Sequence, residues 1–182
     1  LLQVLRKTEH REALADIRRC APDIHHAFAM TLQQEPEAAV GFLGLLRRLL
    51  GPTQSARACV QRVLDALEAV PTPAHRAEAL YWAVVIDQDS PDVDLWPRLR
   101  ALRAMATELG DELLQARTEV LLAGAHWKRG ELDEARINYE AAETIMTSAE
   151  VEPELSKVTW HLAILHTTRG EYPDAERAAR EA

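Results

Sequence analysis

Aromatic residues make up only 5% of the 182 positions, and the two cysteines, Cys20 and Cys59, stand far apart with no CxxC spacing. A disulfide framework or a thiolate zinc site needs more cysteines at closer spacing, so neither is expected, and two isolated thiols fit a reducing compartment. Long apolar runs are also missing. The longest, residues 40–50, is interrupted by Arg47 and Arg48 and falls short of the ~18–20 apolar residues of a membrane span. Val and Ile are sparse and rarely alternate with polar residues, which argues against strands. No signal-peptide pattern follows Leu1. There is no GxxxxGK[ST] loop, GxSxG elbow, HExxH or zinc-type Cys/His spacing. A non-enzymatic chain is expected, with no catalytic residues, no cofactor and no metal.

Positive charge is scarce in the second part of the chain. Residues 1–73 carry nine Lys+Arg against eight Asp+Glu, whereas residues 74–182 carry twelve against twenty-one. An acidic surface offers nothing to a phosphate backbone, so direct nucleic-acid binding is not expected. The acidic stretch Asp87-x-Asp89-x-x-Asp92-x-Asp94 does not meet the needs of a calcium loop. Pro91 stands at a ligand position, Asp92 replaces the central Gly and Arg98 the closing Glu. His25 and His26 are neighbours that point ~100° apart on a helix. His126 and His166 recur at equivalent places and read as packing residues.

What the chain does have is a repeat. Residues 121–135 (LLAGAHWKRGELDEA) recur forty positions later at 161–175 (HLAILHTTRGEYPDA), matching at seven of fifteen places. Leu122, Ala123, His126, Arg129, Gly130, Glu131 and Ala135 correspond to Leu162, Ala163, His166, Arg169, Gly170, Glu171 and Ala175. A fixed offset of this size marks units that stack rather than close around one core. Ala83, and Leu43 before it, hold the phase of Ala123 one and two units earlier. Helical periodicity and Pro/Gly punctuation predict helices over residues 1–20, 21–34, 36–50, 53–69, 74–86, 95–109, 112–129, 133–148, 154–169 and 173–182. Thr72 is the expected N-cap of the 74–86 helix. The units are a helical lead-in at 1–34, degenerate repeats at 35–73 and 74–110, and clearer repeats at 111–150 and 151–182. The last stops partway, so the chain is expected to be a piece of a longer protein. Leu162 and Leu165 should then be partly uncovered, a surface on which a second copy could stack.

Leu122-Ala123…Gly130-Glu131-Leu132…Ala135…Tyr139…Ala142 resembles a tetratricopeptide repeat, as does Leu162-Ala163…Gly170-Glu171-Tyr172…Ala175…Ala182. The family's aromatic position falls on Glu119 and Thr159, its closing Pro on Thr147, and a position more often Tyr on His126 and His166. The forty-residue unit with Leu109-Gly110-Asp111 at a joint is similar to the helical-repeat region of bacterial signal-transducing ATPases and maltose-regulator-like transcription regulators. Residues 12–51 resemble the lead-in that joins such repeats to an ATPase module. The resemblance implies an all-α, right-handed superhelical stack of antiparallel helix pairs in a cytoplasmic bacterial regulator, sensing an inducer or partner for modules elsewhere.

In such a stack the first helix of each unit lines a concave groove. That phase falls on Leu80, Val84 and Asp87 in one unit, on Arg117, Val120, Trp127 and Lys128 in the next, and on Lys157, Trp160 and Thr167 in the last. Two Trp among Lys and Arg suit a protein or peptide segment carrying carboxylates. The expected function is therefore a protein-interaction and sensor region. A self-assembly module forming homo-oligomers and a receptor for a small-molecule inducer are the alternatives; no membrane partner is expected.

Overall fold

The computed structural model describes residues 21–69, 72–90, 92–149 and 151–181. The 1–20 helix lies outside them. Among the described residues every regular element is a helix: α1 (Ala21–Gln34), α2 (Pro36–Leu50), α3 (Gln54–Leu67), α4 (Pro73–Asp87), α5 (Trp96–Leu109), α6 (Glu112–Lys128), α7 (Leu132–Ser148), α8 (Glu152–Arg169) and α9 (Tyr172–Glu181). None is long and apolar enough to cross a membrane. The chain divides into two compact units between Asp89 and Ser90, within the acidic loop.

In the first unit α1 packs on α2, α2 on α3, and α4 on both α2 and α3. Its core is built from large side chains, among them Phe28, Leu43, Leu46, Val63, Leu67 and Ile86. Leu43 and Ala83, the phase-equivalents of Ala123, are both buried. A β-carbon added at Gly44 would lie 2.9 Å from the Trp82 ring, so the missing side chain is what admits that indole. Thr53 caps α3, its hydroxyl oxygen accepting from the Ala56 N–H at 3.3 Å. Thr72 occupies the N-cap position of α4 but accepts no such bond. Its ψ of 79° contrasts with 164° at Thr53. Its hydroxyl is buried without a hydrogen-bond partner.

In the second unit successive helices α5 to α9 pack in sequence, each on the next. Here the core is alanine-rich. Ala116, Ala123, Ala135 and Ala142 are each 0% exposed and surround Tyr139, Met146, Val158, Leu162 and Leu165. Leu162 and Leu165, expected to be partly uncovered, are buried at 3% and 0%. The reason is that α9 packs along α8, with Ala178 and Ala175 buried in the contact. That correction removes the apolar surface on which end-to-end stacking was expected to rest.

The α5–α6, α6–α7 and α8–α9 joints turn at Gly110, Gly130 and Gly170, with φ of 66°, 75° and 76°. A left-handed residue at these places costs glycine nothing sterically. After each, the following N–H reaches back to a carbonyl five residues earlier: Asp111 to Ala106, Glu131 to His126, and Glu171 to His166, at 3.2, 3.0 and 2.9 Å.

Because Ala135 has no exposed surface where α7 meets its neighbours, Ala135→Leu forces extra methylenes into a closed contact. The expected cost is ~1–3 kcal/mol in urea unfolding followed by circular dichroism. An unchanged midpoint would show that the helices do not approach closely at this alanine.

Candidate functional site

The residues assigned to the groove fall into three environments. In the first unit Val84 is buried at 1% and Asp87 at 6%, and Asp87 is ion-paired with Arg57 of α3. Leu80 is half-buried. Val84 and Asp87 thus present almost no accessible surface. The Asp87 carboxylate, which opens the acidic stretch, serves a contact inside the unit. Among the described residues no three His, Cys, Asp or Glu side chains form a metal-binding group.

On α6, Val120 and Trp127 are half-buried and pack against the alanine-rich core. Arg117 donates from Nη2 to Glu154 Oε1 at 2.8 Å, tying α6 to α8 and holding the Glu154 carboxyl below the usual carboxylate range. Its guanidinium is thereby matched within the chain. Lys128 is exposed at the end of the helix.

The most open aromatic of the set is on α8. Trp160 is 55% exposed, with the exposed Lys157 one turn before it and the exposed Thr167 two turns after. Its ring meets His161 edge-on at 5.1 Å, and His161 lies flat on Tyr139 of α7 at 5.4 Å with 16° between the planes. His161 Nδ1 stands 2.6 Å from the Lys157 carbonyl oxygen. A carbonyl only accepts, so this nitrogen carries a proton and the ring orientation is fixed. The result is a three-ring relay from the buried Tyr139 to the exposed indole. Thr167 contributes less, because its hydroxyl donates to the Ala163 carbonyl at 2.8 Å.

A second feature is the clasp at two of the turns. His126 Nδ1 lies 2.7 Å from Glu131 Oε2, and Arg129 Nε 2.9 Å from the other oxygen of the same carboxylate. Forty residues on, His166 and Arg169 hold Glu171 at 2.7 and 2.7 Å. The Glu171 carboxyl is held below its ordinary value by Arg169 first and His166 second. In the first copy the clasp also meets α5, with Trp96 edge-on to His126 at 4.8 Å and Arg129 5.4 Å from the centre of the Trp96 ring. The histidines are thus joint residues that hold a turn by hydrogen bonding to its carboxylate. A packing role foresees their position but not this chemistry. The signal was present in the repeat itself, where His, Arg and Glu recur around an unchanged Gly.

The third feature is a pair of positions forty residues apart, Glu119 and Thr159. Glu119 is buried at 7%, takes Arg103 Nε of α5 at 2.9 Å, and keeps its other oxygen buried without a hydrogen-bond partner. Burial pushes its carboxyl above the ordinary value, and Arg103 opposes the shift. Thr159, its counterpart, is buried at 2% and donates to the Leu155 carbonyl at 3.0 Å.

No family model matches this chain, and no curated protein matches it.

Burial pushes the Tyr139 hydroxyl from its ordinary 10 to about 12. Below pH 10 the tyrosine is neutral in both the folded and unfolded chain. Between pH 10 and 12 it ionises only when unfolded, so stability is lost as pH rises through that window, by up to ~2–3 kcal/mol. Urea unfolding at about pH 9 and about pH 11.5 should show a smaller fall for Tyr139→Phe than for the parent chain. Equal falls would mean that Tyr139 is not buried as described.

Proposed function

We propose that this chain is a protein-interaction and sensor region of a bacterial cytoplasmic regulator, built as a tetratricopeptide-like superhelix and without catalysis of its own. A partner segment lies along the face carried by α6 and α8. The observation that supports this reading is the pre-set indole of Trp160, open at its outer side and anchored through His161 on Tyr139. A rigid, half-open aromatic loses little entropy on binding and is the side chain most enriched at binding hot spots. Lys157 one turn away supplies positive charge at the rim, which favours a segment carrying carboxylates. Sequential packing of successive helices and the forty-residue offset support the repeat architecture. Within it the resemblance to regulator repeats supplies the role of sensing for modules elsewhere. Trp127, packed on the core, braces this face from below rather than contributing an anchor.

Peptides selected from a displayed library against the whole chain provide the test. Trp160→Ala should weaken the selected acidic peptides by ~30-fold while leaving the melting temperature in place. Lys157→Ala should cost a few-fold, an effect that fades at high salt. Trp127→Ala should instead lower the melting temperature. Selected peptides whose affinity ignores Trp160→Ala would place the partner elsewhere and overturn this assignment.

A further inference from the structure

Between α7 and α8 the surface opens into a recess of about 520 Å³ lined by Glu143, Thr144, Thr147, Ser148, Leu155 and Thr159. The preceding joint carries different residues at these places. Forty positions earlier, Glu143, Leu155 and Thr159 correspond to Arg103, Gln115 and Glu119 on α5 and α6. There the guanidinium of Arg103 reaches over Glu119, and Gln115 donates to the Ala106 carbonyl at 3.2 Å. In the later copy a carboxylate replaces the cation, a hydroxyl replaces the carboxylate, and the space between the two helices is left unfilled.

The lining has one chemical character. Thr144 donates its hydroxyl hydrogen to the Glu140 carbonyl at 2.9 Å, Ser148 to Ile145 at 2.8 Å and Thr159 to Leu155 at 3.0 Å. With their hydrogens committed, these oxygens face other groups as acceptors. Glu143 adds a carboxylate, which only accepts and has about four lone-pair sites, enough to hold a cation beside its contacts within the chain. Among the described residues, none of the six that line the recess is cationic. Residues 90–182 carry eighteen Asp+Glu against eleven Lys+Arg, so the field around the recess is negative. Leu155 supplies an apolar wall.

We propose that this recess receives the arginine side chain of a partner protein, its guanidinium on Glu143 and the hydroxyl oxygens and its methylene stem on Leu155. A guanidinium brings five donors in a fixed plane, which suits a carboxylate flanked by acceptors. Its stem pairs with an apolar wall as a bare metal ion or small ammonium does not. The guest occupies the later joint as Arg103 occupies the earlier one. The site is separate from the Trp160 face and does not depend on that face binding anything.

The test is an NMR titration of the whole chain with N-acetyl-arginine N-methylamide, alongside the lysine and norleucine analogues and free arginine. The expected result is a saturable shift of the Thr144, Thr147 and Thr159 amides with arginine, weaker with lysine and absent with norleucine. Glu143→Gln, which keeps shape and removes charge, should weaken it by about fivefold. The pair Glu143→Arg with Thr159→Glu should set in the recess the ion pair that Arg103 and Glu119 make at the earlier joint, and so exclude the guest. Trp160→Ala should change nothing, so failure here and failure of the peptide face are read separately. No saturable shift in the folded chain, equal shifts with norleucine, or indifference to Glu143→Gln would overturn the proposal. Tighter binding of free arginine than of the blocked form would overturn its assignment to a protein side chain.

Discussion

Helix contact through alanine is the constraint on which the second unit depends. A methyl side chain lets two helices come close enough for backbone and side-chain atoms of one to fill the groove of the other. Ala116, Ala123, Ala135 and Ala142 hold that contact along α6 and α7, and Ala163, Ala175 and Ala178 continue it through α8 and α9. With so little volume in the seam, a few larger groups such as Tyr139, Met146 and Leu165 can set the register. The first unit solves the same problem differently, with Phe, Leu and Val in the core and a glycine where an indole must pass.

Once the seams are made of alanine, they carry little chemistry, and specificity moves to the positions beside them. The same place on successive helices holds a buried carboxylate at Glu119 and a hydroxyl at Thr159. The partner place holds a guanidinium at Arg103 and a carboxylate at Glu143. These exchanges leave the helices and their turns intact while changing what the surface between them accepts. Trp160 is a comparable case. It sits where the helix phase points outward, and its orientation is set by a histidine whose ring is fixed from two sides.

Much of the helical architecture was legible in the sequence, because the signals were local. Pro36, Gly51, Gly110, Gly130 and Gly170 mark helix ends through backbone geometry that no neighbour can override. The buried phase of Leu43, Ala83, Ala123 and Ala163 follows from a constant offset. What escaped depended on tertiary partners. Asp87 looked solvent-facing by phase until Arg57, thirty residues away, was seen to claim it. Thr72 had the right residue type for a cap but the wrong ψ. Leu162 and Leu165 read as uncovered from a last repeat that stops partway, whereas α9 suffices to cover them. The recess between α7 and α8 is a matter of missing volume, which no single position announces.

The clasp has a consequence for how such chains change over time. Histidine, arginine, glycine and glutamate of each copy lie within six residues of one another, and their bonds to one another close inside that span. A genetic duplication or deletion of forty codons therefore carries a complete hinge with it, already provided with its ions and its left-handed residue. Trp96 and Asp133 add contacts from the preceding helices, but the turn itself closes within the copied segment, so a chain of this kind can lengthen or shorten by whole hairpins while its neighbours keep their own joints.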